Sequence, residues 1–102
     1  MYKLVITELA QNDLDSIVKY IAQQLSNPTA AGDFLDEVEK CYSYLKSNPL
    51  IYAKSTDWRL EQEGFRKALI KNYLLFFKVN EDSKTVTVYR FLYGARDYLN
   101  LL

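Results

Sequence analysis

The chain has 102 residues, thirteen basic and thirteen acidic, with 49% apolar content, three glycines and two prolines, a balance that fits an ordered globule and excludes disordered and collagen-like classes. A formal charge of zero argues against indiscriminate binding to nucleic acid. The single cysteine, Cys41, rules out an internal disulfide, and the lack of histidine removes every His-containing metal site, so neither metal nor cofactor is expected and a reducing cytoplasm is the natural compartment.

This length predicts one domain spanning residues 1–102. The opening residues meet charge too early for a signal peptide, and no run approaches the roughly 18 apolar residues of a membrane span. The zero total conceals a division. Residues 1–50 carry four bases against seven acids, a balance of −3, and residues 51–102 carry nine against six, a balance of +3. The second half is the expected face for an anionic or acidic partner.

Residues 2–7 are β-prone and predict a strand. From Glu8 the period changes: Ala10, Leu14, Ile17, Ile21 and Leu25 recur at helical steps, broadened by Leu9, Val18 and Tyr20, with Asp13, Asp15, Lys19 and Gln23 on the other face. Thr7 caps this helix of about 17 residues, and Glu8 suits its first turn. Asn27 and Pro28 end one helix and start another, since Asn27 can cap and Pro28 fits the first helical position. The second helix places Ala31, Phe34, Val38, Cys41 and Leu45 on one side, joined by Leu35 and Tyr42. Pro49 ends it by biasing Asn48 away from helical geometry. The short link makes the two helices an antiparallel hairpin. Residues 50–63 carry anchors at Tyr52, Trp58 and Leu60 but no assignable element.

The sheet-forming half starts at Gly64. Phe65 to Lys71, Tyr73 to Val79 and Thr85 to Phe91 read as strands, with a tight reversal at Asn72 and a turn over residues 80–83. Together with the first strand they predict an α+β fold. In it, a mostly antiparallel, curved four-stranded sheet has one face covered by the helical hairpin. Gly94 breaks the last strand pattern, and residues 96–102 form a short helix or an extended tail.

No phosphate-binding loop, dinucleotide fingerprint or cysteine cluster is present, and histidine is not available as a base. Cys41 sits on the apolar side of its helix and reads as a small buried hydrophobe. The helix acids read as solvated faces and most tyrosines as packing. The arginines are more informative. If β alternation holds, Arg90 shares a side with Val86 and Val88 and requires a partner, either an acid such as Asp97 or a cluster with Arg66 and Arg96 that grips phosphate or carboxylate.

Five stretches, AQNDLDSIVKYIA at 10–22, LSNPTAAGDF at 25–34, LKSNP at 45–49, EGFRKALIKNYLLFFKV at 63–79 and VTVYRFLYGARDY at 86–98, resemble in order the RelE/ParE superfamily of type II toxin–antitoxin toxins, nearer its ParE-like branch. The resemblance covers essentially the whole chain. It implies a helical hairpin packed on a curved antiparallel sheet, and a cognate antitoxin that wraps and neutralises the toxin in a hetero-oligomer.

Two mechanisms follow from the resemblance. RelE-like members cut messenger RNA in the ribosome with a basic and aromatic set on the sheet and tail. By position Arg66 and Arg96 match that set, and Tyr98 lies one turn before the terminal tyrosine place at Leu102. The second basic place falls at Ala68, and the central-strand arginine is replaced by Leu74. ParE-like members instead poison DNA gyrase. The missing positive places favour the gyrase reading, with Arg66, Lys67, Arg90, Tyr93 and Arg96 as partner-binding candidates. The ribonuclease, with Arg66, Arg96 and Tyr98 as its catalytic candidates, and an antitoxin-binding module without toxicity are the alternatives.

Overall fold

The computed structural model describes residues 1–55, 57–94 and 102. Its elements are strand β1 (Lys3–Ile6), helices α1 (Glu8–Lys19), α2 (Pro28–Ser47) and α3 (Trp58–Gln62), and strands β2 (Arg66–Ile70), β3 (Tyr73–Asn80) and β4 (Thr85–Tyr93). The strands form one sheet in the order β1-β4-β3-β2. The two hairpin pairings are antiparallel, and β1 lies parallel to β4 with Lys3 opposite Thr85 and Ile6 opposite Val88. This is the expected α+β architecture. The parallel pair follows from connectivity, because the helices separate β1 from its neighbour.

Both long helices start on the expected caps. Thr7 Oγ1 accepts from the Ala10 N–H at 3.1 Å, and Asn27 Oδ1 accepts from Ala30 N–H at 3.1 Å with Pro28 in the first helical turn. Each cap satisfies a donor that the helix cannot pair internally. The first helix reaches its expected length in an unexpected form, since α1 continues as a π-helical turn over Tyr20–Gln24. Widening the last turn keeps Ile21 buried but rotates Leu25 out to 56% exposure and leaves Tyr20 at 48%. Leu25, expected on the buried stripe, is therefore at the surface.

The sheet is apolar on both faces. Beneath the helices, Leu14, Ile17, Phe34, Val38 and Leu45 pack on Ala68, Leu75, Phe77, Val86, Val88 and Phe91. On the opposite face Leu60, Phe65, Phe76 and Leu92 form a smaller cluster joined by Leu74, Tyr89 and Leu102. Strand alternation explains how both neighbours in the Phe76-Phe77 pair are fully buried: they point to opposite faces, and each face has a cover. The segment without an assignable element supplies the second cover. It runs through a 3₁₀ turn at Pro49–Ile51, pairs Lys54 with Arg66, and places Leu60 of α3 under the sheet. Asp57 caps α3, accepting from Arg59 and Leu60 N–H at 3.1 and 3.3 Å.

At the β2–β3 reversal the positive φ, +55°, falls on Lys71 rather than on Asn72. Among the described residues no helix is long and apolar enough to cross a membrane.

Two buried clusters rather than one make a specific prediction. Phe76→Ala removes a ring from the face away from the long helices, yet it should cost about 3–5 kcal/mol, as a core phenylalanine does. Urea unfolding checks it; a loss near 1 kcal/mol would mean that the second cluster does not contribute as a core.

Candidate interaction site

β4 departs from plain alternation at one place. Phe77 pairs with Val88 and Phe76 with Arg90, so Tyr89 is an extra residue in the ladder, a β-bulge. Past the bulge Phe91, not Arg90, continues the Val86 and Val88 face, while Leu92 joins the opposite cluster. The expectation that Arg90 shares a side with Val86 and Val88 is thereby corrected.

α1 and its cap hold the bulge at three residues, Tyr89, Arg90 and Phe91. The Thr7 hydroxyl donates to the Tyr89 carbonyl at 3.2 Å, and the Phe91 N–H donates to Asp13 Oδ2 at 3.0 Å. The Arg90 guanidinium grips the same carboxylate through Nε to Oδ2 at 2.7 Å and Nη2 to Oδ1 at 3.0 Å. With side-chain exposures of 17% and 14%, this is a bidentate, charge-assisted pair sheltered from water. Its hydrogen bonds hold the Arg90 pKa above the ordinary arginine value, against the opposing effect of burial. Asp13, expected on the solvated face of α1, is thus a structural partner. Its position was a signal, because Asp13 lies three residues after Ala10 and four before Ile17, both buried, and an acid on that stripe demands a cation.

Arg90 and Tyr93 line a cleft of about 890 Å³ between the end of α1, the start of α2 and the β2–β3 turn. Its walls are Tyr20, Leu25 and Phe34 from the helices, with Lys71, Tyr73 and Tyr93 from the sheet. Tyr73 stacks edge-on against both Phe34 and Tyr93, with centroids 5.4 and 5.6 Å apart. Burial, reinforced by Tyr20 and Tyr93, pushes the Tyr73 phenol up, away from ionisation. The cleft therefore offers aromatic rings and the neutral Tyr73 hydroxyl beside charged Asp33 and Lys71, which suits an amphipathic segment of another protein.

The other expected residues are elsewhere. Arg66 Nη1 donates to the Tyr52 carbonyl at 2.6 Å, which ties it to the segment that covers the β2 edge. Lys67 points to the sheet face away from the long helices, since its ladder partner is Phe76. On that face Lys78 Nζ lies 4.5 Å from the Phe65 ring centroid and 5.4 Å from that of Tyr89, a cation–π arrangement that sequence reading missed. Lys78 sits opposite Thr87 in the ladder, so only the pairing of β3 with β4 brings it over those rings. Arg96 and Tyr98 lie outside the described residues. The candidates thus divide between the cleft, the β2 edge and the open face.

Ala68 is 3% exposed within the helix-side core, and Leu74 packs on the opposite cluster. Both places are occupied by packing. Burial also raises the pKa values of Cys41, Tyr42 and Tyr52, so neither a thiolate nor a phenolate forms there at neutral pH. The Tyr52 hydroxyl donates to Cys41 Sγ at 3.8 Å.

The family model for the ParE toxin of the type II toxin–antitoxin system parDE matches residues 4–98. No curated protein matches the chain. Among solved structures, the chromosomal ParDE toxin–antitoxin system from P. aeruginosa contains a chain similar to this one at 21% identity. That match has a TM-score of 0.71 and covers 91% of this chain and 96% of that one. The RelBE2 toxin–antitoxin complex from Mycobacterium tuberculosis gives 22% identity and a TM-score of 0.62, covering 90% of this chain and 96% of its counterpart. These likenesses show a shared fold.

Breaking the clamp should be costly in a graded way. Asp13→Asn keeps an acceptor for the Phe91 N–H but removes the negative charge that Arg90 grips here, for an expected loss of about 2 kcal/mol. Asp13→Ala removes both, for about 3–4 kcal/mol. Urea unfolding should reproduce that order, and equal losses would deny the backbone bond a share. For Cys41, the raised pKa lowers the thiolate fraction at any pH below it. At pH 8 a disulfide reagent should modify the folded thiol about tenfold or more slowly than the unfolded one. Equal rates would contradict the burial.

Proposed function

This chain belongs to the ParE toxin family of type II toxin–antitoxin systems, and from that premise we propose that it is a cytoplasmic inhibitor of DNA gyrase. In this reading a cognate antitoxin neutralises it within a hetero-oligomer. The observation that carries the choice of target is the fate of Ala68 and Leu74. A ribonuclease of the RelE type would want positive charge at these two positions, and here they are apolar packing residues. Each missing donor to a developing phosphate charge is worth on the order of 3 kcal/mol of transition-state stabilisation. Among the described residues, the tyrosines with shifted pKa values are all shifted upward, away from the near-neutral range that general acid–base catalysis favours.

Recognition of a protein target makes no such demand. Exposed rings around a cleft, with Lys71 at the rim, supply contact area at low entropic cost. An amphipathic antitoxin helix suits the same cleft. Of the cations first considered for partner contact, Arg66 and Arg90 are engaged by Tyr52 and Asp13 and Arg96 lies outside the described residues, so Lys67, joined by Lys71 at the cleft rim, becomes the contact for acidic antitoxin residues. One observation favours a ribonuclease as the second reading. Lys67 and Lys78 share the open face with Phe65 and Tyr89, a basic and aromatic combination of the kind that holds single-stranded RNA.

Two assays on the purified chain separate these readings. The gyrase reading expects loss of plasmid supercoiling by gyrase, intact transcripts on translating ribosomes, and inhibition that survives Lys67→Ala with Lys78→Ala. Cleaved transcripts with normal supercoiling would overturn it in favour of the nuclease, and normal results in both would leave antitoxin binding alone. Co-expression with the product of the adjoining reading frame tests the antitoxin, which should co-purify and restore supercoiling.

A further inference from the structure

The cleft carries two charges that the fold itself leaves unanswered. Asp33, on α2, and Lys71, in the β2–β3 turn, both line it and both are exposed. Neither side chain has a hydrogen-bond or ion-pair partner among the described residues, whereas Arg90 and Asp13 in the same lining neutralise each other. Asp33 belongs to the helical wall and Lys71 to the sheet wall, so opposite charges flank an apolar floor in which Phe34 meets Tyr73.

Each charge sits where local physics disfavours it. Asp36 and Glu37 follow Asp33 at three and four residues, and like charges at those spacings weaken a helix. Asp33 also lies beyond the first turn of α2, too far in to gain much from the helix dipole. Lys71 adopts φ +55°, a conformation that glycine or asparagine takes more readily than lysine. The turn that carries it is nonetheless fixed, because the Gly94 N–H donates to the Asn72 carbonyl at 2.9 Å. A Cβ on Gly94 would stand 3.2 Å from that carbonyl oxygen, so the close approach favours glycine there. Charges kept against local preference and left without a partner point to a role outside the fold.

We propose that Asp33 and Lys71 select what fills the cleft: an amphipathic helical segment of the antitoxin, with a basic residue on the flank facing α2 and an acidic residue on the flank facing the β2–β3 turn. Its apolar stripe lies on Phe34, Tyr73 and the exposed rings of Tyr20 and Tyr93. A segment with uncharged flanks, or with the two charges exchanged, covers these groups without answering them and binds more weakly. The inference rests on reading the chain as an antitoxin-neutralised toxin, and it adds the two positions that decide which antitoxin the cleft accepts.

The test uses the whole chain and the purified product of the adjoining reading frame, with affinity read by titration calorimetry and folding by urea unfolding. Asp33→Lys and Lys71→Glu should each weaken binding about tenfold or more with no fall in the urea midpoint. For Asp33→Lys the midpoint should hold or rise, since repulsion from Glu37 becomes attraction. Asp36→Lys makes the same change of charge on α2 outside the cleft lining, and its affinity should stay within about twofold. Unchanged or tighter binding in either reversal would overturn the inference. An equal loss in Asp36→Lys would also overturn it, by assigning the effect to the overall field of α2. So would unfolding of either reversal variant, which would make that charge structural. If the unaltered chain binds the product and the reversals do not matter, the toxin reading stands without this selection. If the unaltered chain does not bind it, both fall.

Discussion

The clamp of α1 on the β4 bulge is the constraint on which the rest depends. A bulge is costly unless the backbone groups it displaces find partners. Here Thr7 and Asp13, less than two helical turns apart, take the Tyr89 carbonyl and the Phe91 N–H. Arg90 neutralises the carboxylate that does so. The inserted residue exchanges the faces of everything after it in β4, which delivers Phe91 to the helix-side core and Leu92 to the opposite cluster. Plain alternation in place of the bulge would carry Arg90 into the helix-side core with Val86 and Val88.

This arrangement divides the basic residues by role. Arg90 is consumed by fold specification, as Arg66 is by the turn at Tyr52. The cations of β2 and β3 that lie on the open sheet face are lysines, Lys67 and Lys78. That distribution suits protein recognition, where screened surface charges govern encounter and partner choice, better than catalysis, which needs charges fixed at the reacting atoms. The cleft lies beside the β2–β3 turn, with Lys71 and Asn72 in its lining.

Much of the fold was legible. Period changes at Glu8 and Gly64, the caps at Thr7 and Asn27, and the proline breaks gave element order and type, because these signals act within a few residues. Residues 50–63 were opaque for the opposite reason: their conformation is set by Leu60 finding the underside of the sheet. The π-helical turn left no local mark, and its effect on Leu25 was invisible to a pattern that assumes a uniform helix. Positive φ at Lys71 rather than Asn72 runs against residue preference and was equally unreadable.

The candidate site was legible only in composition. Sequence alone determined that the second half carries the positive balance and the partner-contact candidates Arg66, Lys67, Arg90, Tyr93 and Arg96, and that Ala68 and Leu74 stand uncharged where the resemblance to a ribosomal nuclease asks for positive charge. Tertiary structure decided which cations are free. An arginine in a strand and an aspartate on a helix are each ambiguous until the register between them is fixed, and the Asp13–Arg90 pair spans 77 residues. Local physics reaches a few residues along the chain, whereas a bulge and a cleft exist only once distant segments have packed.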